Sequence, residues 1–186
     1  MTNVAAAARC LPPEVEKLLL DVLDDGFTVY CCGPKAGPNA LVAAYEWPHC
    51  FDLITIRDFD RITAARAPKH GKVDIFAPEV VMWAYDGPPQ WTLRMLLNLV
   101  HPQHPDAPHG EFPAPRCLHI PRAEQRPMTI RLPSPGRAGA RARRLATTMA
   151  ADSRSTGSLS PSATHATPPA SPSDSYAALA TTTRSD

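Results

Sequence analysis

Five residues that could bind a metal ion crowd one segment of the chain: His101, His104, His109, Cys117 and His119. Zinc takes four nitrogen or sulfur ligands in a tetrahedron, and an irregular loop can wrap around the ion to supply them. The spacing from His104 to His109 suits the histidine half of a zinc finger, but no Cys-x2-Cys pair precedes it. We therefore expect a proline- and histidine-rich surface loop and no cofactor. A loop that binds zinc is the alternative.

Acidic side chains near the predicted strands offer a second kind of chemistry. The candidates are Asp52, Asp58, Asp60, Asp74 and Glu79. Carboxylates that project from neighbouring strands can bind Mg²⁺ and support phosphodiester hydrolysis. Lys72 near Asp74 faintly resembles the acidic strand and lysine of restriction-like nucleases, although the Glu-x-Lys spacing is missing. Asp58 and Asp60 more simply predict a turn, in which an aspartate caps its own backbone.

Cysteine chemistry and nucleotide binding have weaker support. Cys31 and Cys32 are adjacent in a predicted strand, so their side chains point to opposite faces, and His49-Cys50 lies in a later turn. No glycine-rich elbow or orienting carboxylate accompanies them, so a Cys–His nucleophile is not expected. The sequence also lacks Walker, dinucleotide-binding and Gly-x-Ser-x-Gly motifs, which excludes the commonest classes of small enzyme.

Large aromatic side chains are the remaining functional candidates. Ten of the twelve aromatic residues lie between Phe27 and Trp91, so the stretch from Leu11 to Val100 can bury a core. The conspicuous members are Trp47, Trp83, Tyr85 and Trp91. Such side chains are either core residues or the anchors of an interaction surface.

A helix and a series of short strands must position these residues. An apolar stripe with helical spacing predicts a helix over Pro12–Asp25 that ends at Gly26. Short apolar runs separated by turn residues then predict an antiparallel sheet. Its strands are expected at Phe27–Cys32, Leu41–Trp47, Phe51–Arg57, Arg61–Arg66, Val73–Phe76 and Val80–Tyr85, and a second helix at Trp91–Val100. The alanines of the second run also allow a short helix there.

The predicted fold class is α+β: an N-terminal helix, a small mainly antiparallel sheet and a C-terminal helix, then a proline-rich extension and a disordered tail. The expected divisions are a flexible N-terminus at 1–10, a small α+β domain at 11–100, a Pro/His-rich extension at 101–132 and a disordered tail at 133–186. Met128–Leu132 is the one part of the extension that could return to the sheet as an edge strand. The tail is rich in Ala, Ser, Thr, Pro and Arg and has almost nothing to bury.

The charge balance argues against a dedicated nucleic-acid binder. The net charge is +1, with 13 basic and 15 acidic residues up to Leu132 and 6 basic and 3 acidic residues beyond it. A nucleic-acid binder presents a much stronger basic field. The one basic cluster is Arg137, Arg141, Arg143 and Arg144. It predicts at most weak contact with nucleic acid, and a solubilising tail is the preferred interpretation.

The sequence predicts a cytoplasmic protein with no membrane association and with reduced cysteines. No apolar run approaches the ~18 residues that span a membrane. Met1–Arg9 lacks the charged and Leu-rich regions of a signal peptide. An odd number of cysteines, five, fits thiols in a reducing compartment better than a disulfide framework.

Several short segments carry a resemblance to a family. They are Gly26–Tyr30, Trp47–Pro48, Asp58–Arg61, Val73–Glu79 and Trp91–Arg94. Together they look like a family of short, uncharacterised actinobacterial proteins, and the similarity covers about Pro12–Val100 but not the tail after Leu132. The resemblance implies the domain boundaries and a bacterial cytoplasm, and it implies nothing about chemistry.

These observations favour a non-enzymatic binding or accessory module. The aromatic surface would contact a protein partner or a second copy of the chain in a homodimer, because aromatic side chains are the usual anchors of interfaces. The alternative is a metal-dependent hydrolase or nuclease that uses the strand carboxylates or the His/Cys segment.

Overall fold

A computed structural model describes residues 11–34, 37–70, 74–125 and 128–156, and it has the α+β fold class that the sequence predicts. The α-helices are α1 (Pro13–Asp24), α2 (Pro89–Leu97) and α3 (Ala140–Thr156), and one turn of 3₁₀ helix spans Arg116–Leu118. The strands are β1 (Thr28–Cys32), β2 (Ala40–Glu46), β3 (Cys50–Ile56), β4 (Ile62–Pro68), β5 (Val80–Val81), β6 (Trp83–Gly87), β7 (Phe112–Pro113) and β8 (Met128–Arg131). No helix among these residues is both long and apolar enough to cross a membrane.

Six strands form one antiparallel sheet in the order β6-β4-β3-β2-β1-β8. The first four strands are sequential neighbours, as expected when short turns join consecutive strands. β8 pairs with β1 at one edge, in the segment for which the sequence predicts an edge strand. β5 and β7 form a separate two-stranded ladder. β2 is a strand, so the alternative of a short helix in that run is wrong.

Three helices cover one face of the six-stranded sheet. Val22 of α1, Leu93 of α2 and Leu145 of α3 are buried in a core with Ile54 of β3. α1 ends before Gly26, whose φ of +94° is a conformation that favours glycine. The apolar stripes of α1 and α2 therefore face the sheet, as amphipathic spacing requires, and α3 faces it through Leu145.

The proline-rich extension covers the opposite face. Leu118 and Ile120 are buried there, Leu118 in a cluster with Leu53 of β3. Leu53 and Ile54 point to opposite faces because successive residues of a strand alternate. Regular secondary structure is not needed for this cover, since apolar side chains of an irregular segment exclude water as well as those of a helix. The folded domain therefore continues past Val100.

Two of the predicted strands are wrong in detail. The segment predicted as a strand at Val73–Phe76 is a turn from Asp74 onward, and the Asp74 carboxylate accepts the Phe76 N–H at 2.9 Å. The Val80–Tyr85 run is interrupted at Met82 and divides into β5 and β6. Its apolar composition is uniform, so periodicity could not locate the break.

The prediction of a disordered tail from residue 133 is wrong for residues 133–156. α3 occupies Ala140–Thr156, and both Arg141 and Leu145 are buried. Composition favoured disorder because it counts arginine as a solvated charge, whereas Arg141 is held inside the domain by acidic partners. Residues 1–10 and 157–186, predicted as a flexible terminus and the rest of the tail, lie outside the described residues.

Candidate functional site

The four aromatic residues predicted as partner anchors have different environments. Trp47 is only 3% exposed, and its indole N–H donates to Asp52 at 2.9 Å, so its assignment to a binding surface is wrong. Trp83 and Tyr85 are half-buried on edge strand β6. Trp91 on α2 is 53% exposed. Trp91 is thus the one member of the set with a largely accessible ring.

The five predicted zinc ligands do not come together. Within the part of the chain that the structure describes, no three His, Cys, Asp or Glu side chains are grouped so that they could hold a metal. His101 and His104 accept nearby backbone N–H groups through Nδ1, both at 3.1 Å. His119 Nε2 lies 2.9 Å from the Pro78 carbonyl oxygen, while His109 is exposed. The histidines with defined partners therefore have local structural roles.

The strand carboxylates proposed for Mg²⁺ are also separate. Asp58 accepts the N–H of Asp60 at 3.2 Å, which is the turn that the sequence predicts. Asp74 caps a turn of its own, and Asp52 is fully buried beneath the helices. Lys72 lies outside the described residues.

Asp52 and Arg66 form a buried ion pair on the helix face of the sheet. They are directly opposite each other on β3 and β4. Arg66 donates from Nε to Asp52 Oδ1 at 2.7 Å and from Nη2 to Oδ2 at 3.0 Å, and from Nη1 to the carbonyl of Val100 at 2.9 Å. This two-pronged geometry fixes the orientation of the carboxylate.

A second guanidinium, from Arg141 of α3, enters the same buried region. It donates from Nε to Asp52 Oδ2 at 2.9 Å, from Nη1 to Asp25 Oδ2 at 2.9 Å and from Nη2 to the Leu96 carbonyl at 2.6 Å. Its central carbon lies 5.6 Å from the centre of the Phe27 ring. The groups around this guanidinium are the carboxylates of Asp25 and Asp52, the Leu96 carbonyl and the Phe27 ring. We call this set the guanidinium pocket.

Arg144, one turn further along α3, completes the docking of the helix. Its Nε donates to Asp25 Oδ1 at 2.9 Å and its Nη2 to the Leu97 carbonyl at 3.1 Å. Arg137 pairs with Asp24, and Arg143 donates to backbone carbonyls of the preceding turn. The cluster interpreted from sequence as a solubilising tail or a weak nucleic-acid contact is therefore largely engaged within the chain.

Burial and the charges of the network shift the pKa values of several side chains. Burial alone would raise the pKa of Asp52, but the Arg141 and Arg66 guanidinium groups outweigh burial and hold that pKa below its ordinary value. Burial, and then the positive charge of Arg66, lowers the pKa of His101. Burial raises the pKa of Cys50 to about 12 and that of Cys32 to about 11, so neither thiol is a nucleophile at neutral pH.

A groove of about 570 Å³ adjoins the pocket between α1, α2 and the start of α3. Asp25 and Arg144 form part of its wall, and so do Leu18 and Arg94. The Arg94 guanidinium lies 5.6 Å from the centre of the Trp91 ring. The exposed tryptophan is thus linked through one side chain to the groove at which α3 docks.

Sequence reasoning missed the pocket, although two signals pointed to it. Asp52 and Arg66 each interrupt an apolar strand on the inward-facing register, where a charge needs a buried partner. Arg141 and Arg144 are spaced three residues apart, which places both on one side of a helix. Asp25 gave no signal, because it resembles the other aspartates at the end of α1.

Comparison with known proteins does not add to this interpretation. No protein-family model, no curated protein and no solved structure matches the chain. The similarity to actinobacterial proteins stays a prediction, and the site is interpreted from its own geometry.

Proposed function

We propose that the chain is a non-enzymatic protein-binding module that captures an arginine-bearing helix in its guanidinium pocket. One observation carries the proposal: Arg141, a residue of α3, is 0% exposed and donates to three acceptors that all belong to residues 11–100. The folded core thus supplies a complete binding site for a guanidinium group, and α3 of the same chain occupies that site.

The chemistry of the pocket favours recognition over simple stabilisation. A buried ion pair gains little stability over well-packed apolar residues, because both charges must be desolvated. Directional bonds to a planar guanidinium do select arginine over lysine, since lysine cannot match the fork of donors. Leu145 is the one strongly buried apolar side chain of α3 among those described. Docking of α3 therefore depends on selective polar contacts.

Part of the pocket is organised independently of the helix that it binds. Arg66 and Trp47 hold the Asp52 carboxylate in place from the sheet side. Asp25, in contrast, receives its guanidinium donors from Arg141 and Arg144, both on α3. A preformed acceptor combined with one that awaits a partner is typical of a binding site with low reorganisation cost.

Trp91 is the remaining candidate for the aromatic anchor of such a module. Exposed tryptophans are enriched at the centres of protein interfaces. Its link to the groove through Arg94 would let a partner helix longer than α3 reach the ring. The alternative of a metal-dependent hydrolase or nuclease gains no support from the side chains, because Asp52 is committed to two arginines and Asp58 and Asp74 to turns.

The proposal is tested by adding α3 in trans. The full chain with Arg141→Ala and Arg144→Ala leaves its pocket vacant, and a fluorescent peptide of residues 134–156 is titrated into it. We expect saturable anisotropy for the native peptide and at least tenfold weaker binding for the same peptide with Arg141→Lys, because lysine keeps the charge but loses the fork. Circular dichroism verifies that the receptor chain is folded. Equal affinities for the two peptides, or no binding to a folded receptor, would contradict the proposal.

A further inference from the structure

We infer that the guanidinium pocket accepts α3 from a second copy of this chain, so that two copies exchange this helix in a reciprocal dimer. The inference rests on the proposed function, since a helix that binds only as part of its own chain could not be exchanged. It goes further by naming the partner: the arginines of one copy enter the pocket of the other.

Every copy carries both halves of the interaction. Residues 11–100 provide the pocket, and Arg141 and Arg144 provide the groups that fill it. Two copies can therefore satisfy each other by a twofold arrangement with the same contacts that one copy makes alone. Exchange of an identical element in this way is a low-cost route to a dimer.

The segment that joins α3 to the sheet has the features of a hinge. Residues 132–139 connect the end of β8 to the start of α3, and they are mostly exposed, Leu132 at 70%. Their backbone forms turns, in which the N–H groups of Arg137 and Ala138 both donate to the Ser134 carbonyl. Opened into an extended strand, eight residues would span about 26 Å at roughly 3.3 Å each. That length is enough to carry α3 away from its own pocket.

The closed arrangement crowds this hinge against α1. A Cβ atom added to Gly26 would lie 2.4 Å from the carbonyl oxygen of Arg137. The link therefore fits in the closed form only by passing directly over a glycine. Shortening such a link removes slack that the closed form needs, and short hinges favour exchange between copies.

Docking buries few apolar side chains of α3 itself. Of the side chains described on α3, Arg141 and Leu145 are buried and most of the others are exposed. The contacts made within one copy and between two copies are the same, so the link decides the balance. A link long enough to span the closed form gives the helix of the same copy a high effective concentration and keeps the native chain mostly closed, whereas a link too short to span cannot.

Deletion of Pro135 and Gly136 in the full chain tests the exchange. Light scattering with size-exclusion chromatography should show a dimer dissociation constant at least tenfold lower than that of the native chain. Adding Arg141→Ala and Arg144→Ala to the shortened chain should abolish the dimer. A shortened chain that is folded and stays monomeric would overturn the exchange, as would a dimer that persists without the two arginines.

A mixing experiment keeps the inference testable if the shortened chain does not fold. One full chain carries Asp25→Lys, which blocks its pocket but leaves its α3 intact. The other carries Arg141→Ala and Arg144→Ala, which leaves its pocket vacant. Sedimentation velocity should detect a heterodimer only in the mixture, and absence of that complex would overturn the exchange. Binding of the α3 peptide without any dimer would refute the exchange alone, whereas loss of peptide binding would refute the proposed function as well.

Discussion

Asp52 is the residue on which the buried network depends. Its two carboxylate oxygens receive donors from Arg66, Trp47 and Arg141. An isolated buried carboxylate would cost several kcal/mol of desolvation, so the ionised form persists only because two guanidinium groups contact it. The strand that carries Asp52 is therefore tied to its neighbour and to α3 by one side chain.

His101 gives the network a dependence on pH near neutrality. Its ring centre lies 4.9 Å from that of Trp47, and its pKa is lowered by burial and by Arg66. In the unfolded chain the pKa of this histidine is near 6.5. As the pH falls, His101 is therefore protonated in the unfolded chain before it is protonated in the folded chain. The contribution of His101 to the free energy of unfolding is complete above pH 6.5. It is lost as the pH drops toward the lowered pKa of His101 in the folded state.

We predict that the free energy of unfolding of the His101→Gln variant decreases less steeply with falling pH than that of the native chain. Urea unfolding followed by tryptophan fluorescence between pH 5 and pH 8 measures it. The control is His109→Gln, which alters an exposed histidine of the same segment and should leave the pH dependence intact. Identical profiles for the His101→Gln variant and the native chain would show that His101 does not titrate in this environment.

The positions of the pocket residues were only partly predictable from sequence. A charge inside an apolar strand, such as Asp52 or Arg66, is visible in the alternation and predicts a buried partner. Which partner it finds depends on strand register, and the second guanidinium comes from α3, 89 residues further along the chain. Such long-range pairing leaves no local pattern, so the arginine cluster was interpreted as solvated.

At the scale of elements, local patterns predicted α1 through its helical apolar period and the strands β1 to β4 through short apolar runs bounded by turn residues. They failed for the break between β5 and β6, because every residue from Val80 to Tyr85 is apolar or aromatic and no period can mark the break. They failed most clearly for α3. That helix has a single strongly buried apolar residue, Leu145, and docks mainly through arginines, which sequence patterns assign to solvent.

The docking of α3 predicts unequal roles for two arginines on that helix. Arg141→Ala leaves Asp25 without one guanidinium and the Leu96 carbonyl without its donor, so we expect a loss of about 3 kcal/mol in the free energy of unfolding. The matched control is Arg143→Ala, because Arg143 is exposed and bonds only to nearby backbone carbonyls. Its effect should stay within about 0.5 kcal/mol. Urea denaturation measures both, and equal losses would contradict the assigned role of Arg141.

At the scale of the whole molecule, polar contacts as well as apolar packing join the layers. The sheet has three helices on one face and an irregular extension on the other. Arg57, directly after β3, donates to the backbone carbonyl of His119 at 2.6 Å, which ties the extension to its face of the sheet. Asp52 on β3 ties α3 to the helix-covered face by accepting a hydrogen bond from Arg141. The layers should therefore unfold together, since each is anchored by a charged side chain of the same sheet.

Acid unfolding tests whether the molecule behaves as this single unit. The pKa of Asp52 is lowered from its ordinary value of 3.8, so its contribution to stability is present above pH 3.8 and is lost as the pH falls below it. Arg141→Ala removes one of the two guanidinium groups that lower this pKa, so unfolding should begin at a higher pH than in the native chain. Far-UV circular dichroism reports the helices, and tryptophan fluorescence, which includes that of Trp47 beside Asp52, reports the packing of the core. The two signals should change at the same pH in the native chain, because α3 cannot leave a charged Asp52 without weakening the core. Separate transitions, or an unchanged midpoint in the variant, would show that α3 and the sheet are not coupled through Asp52.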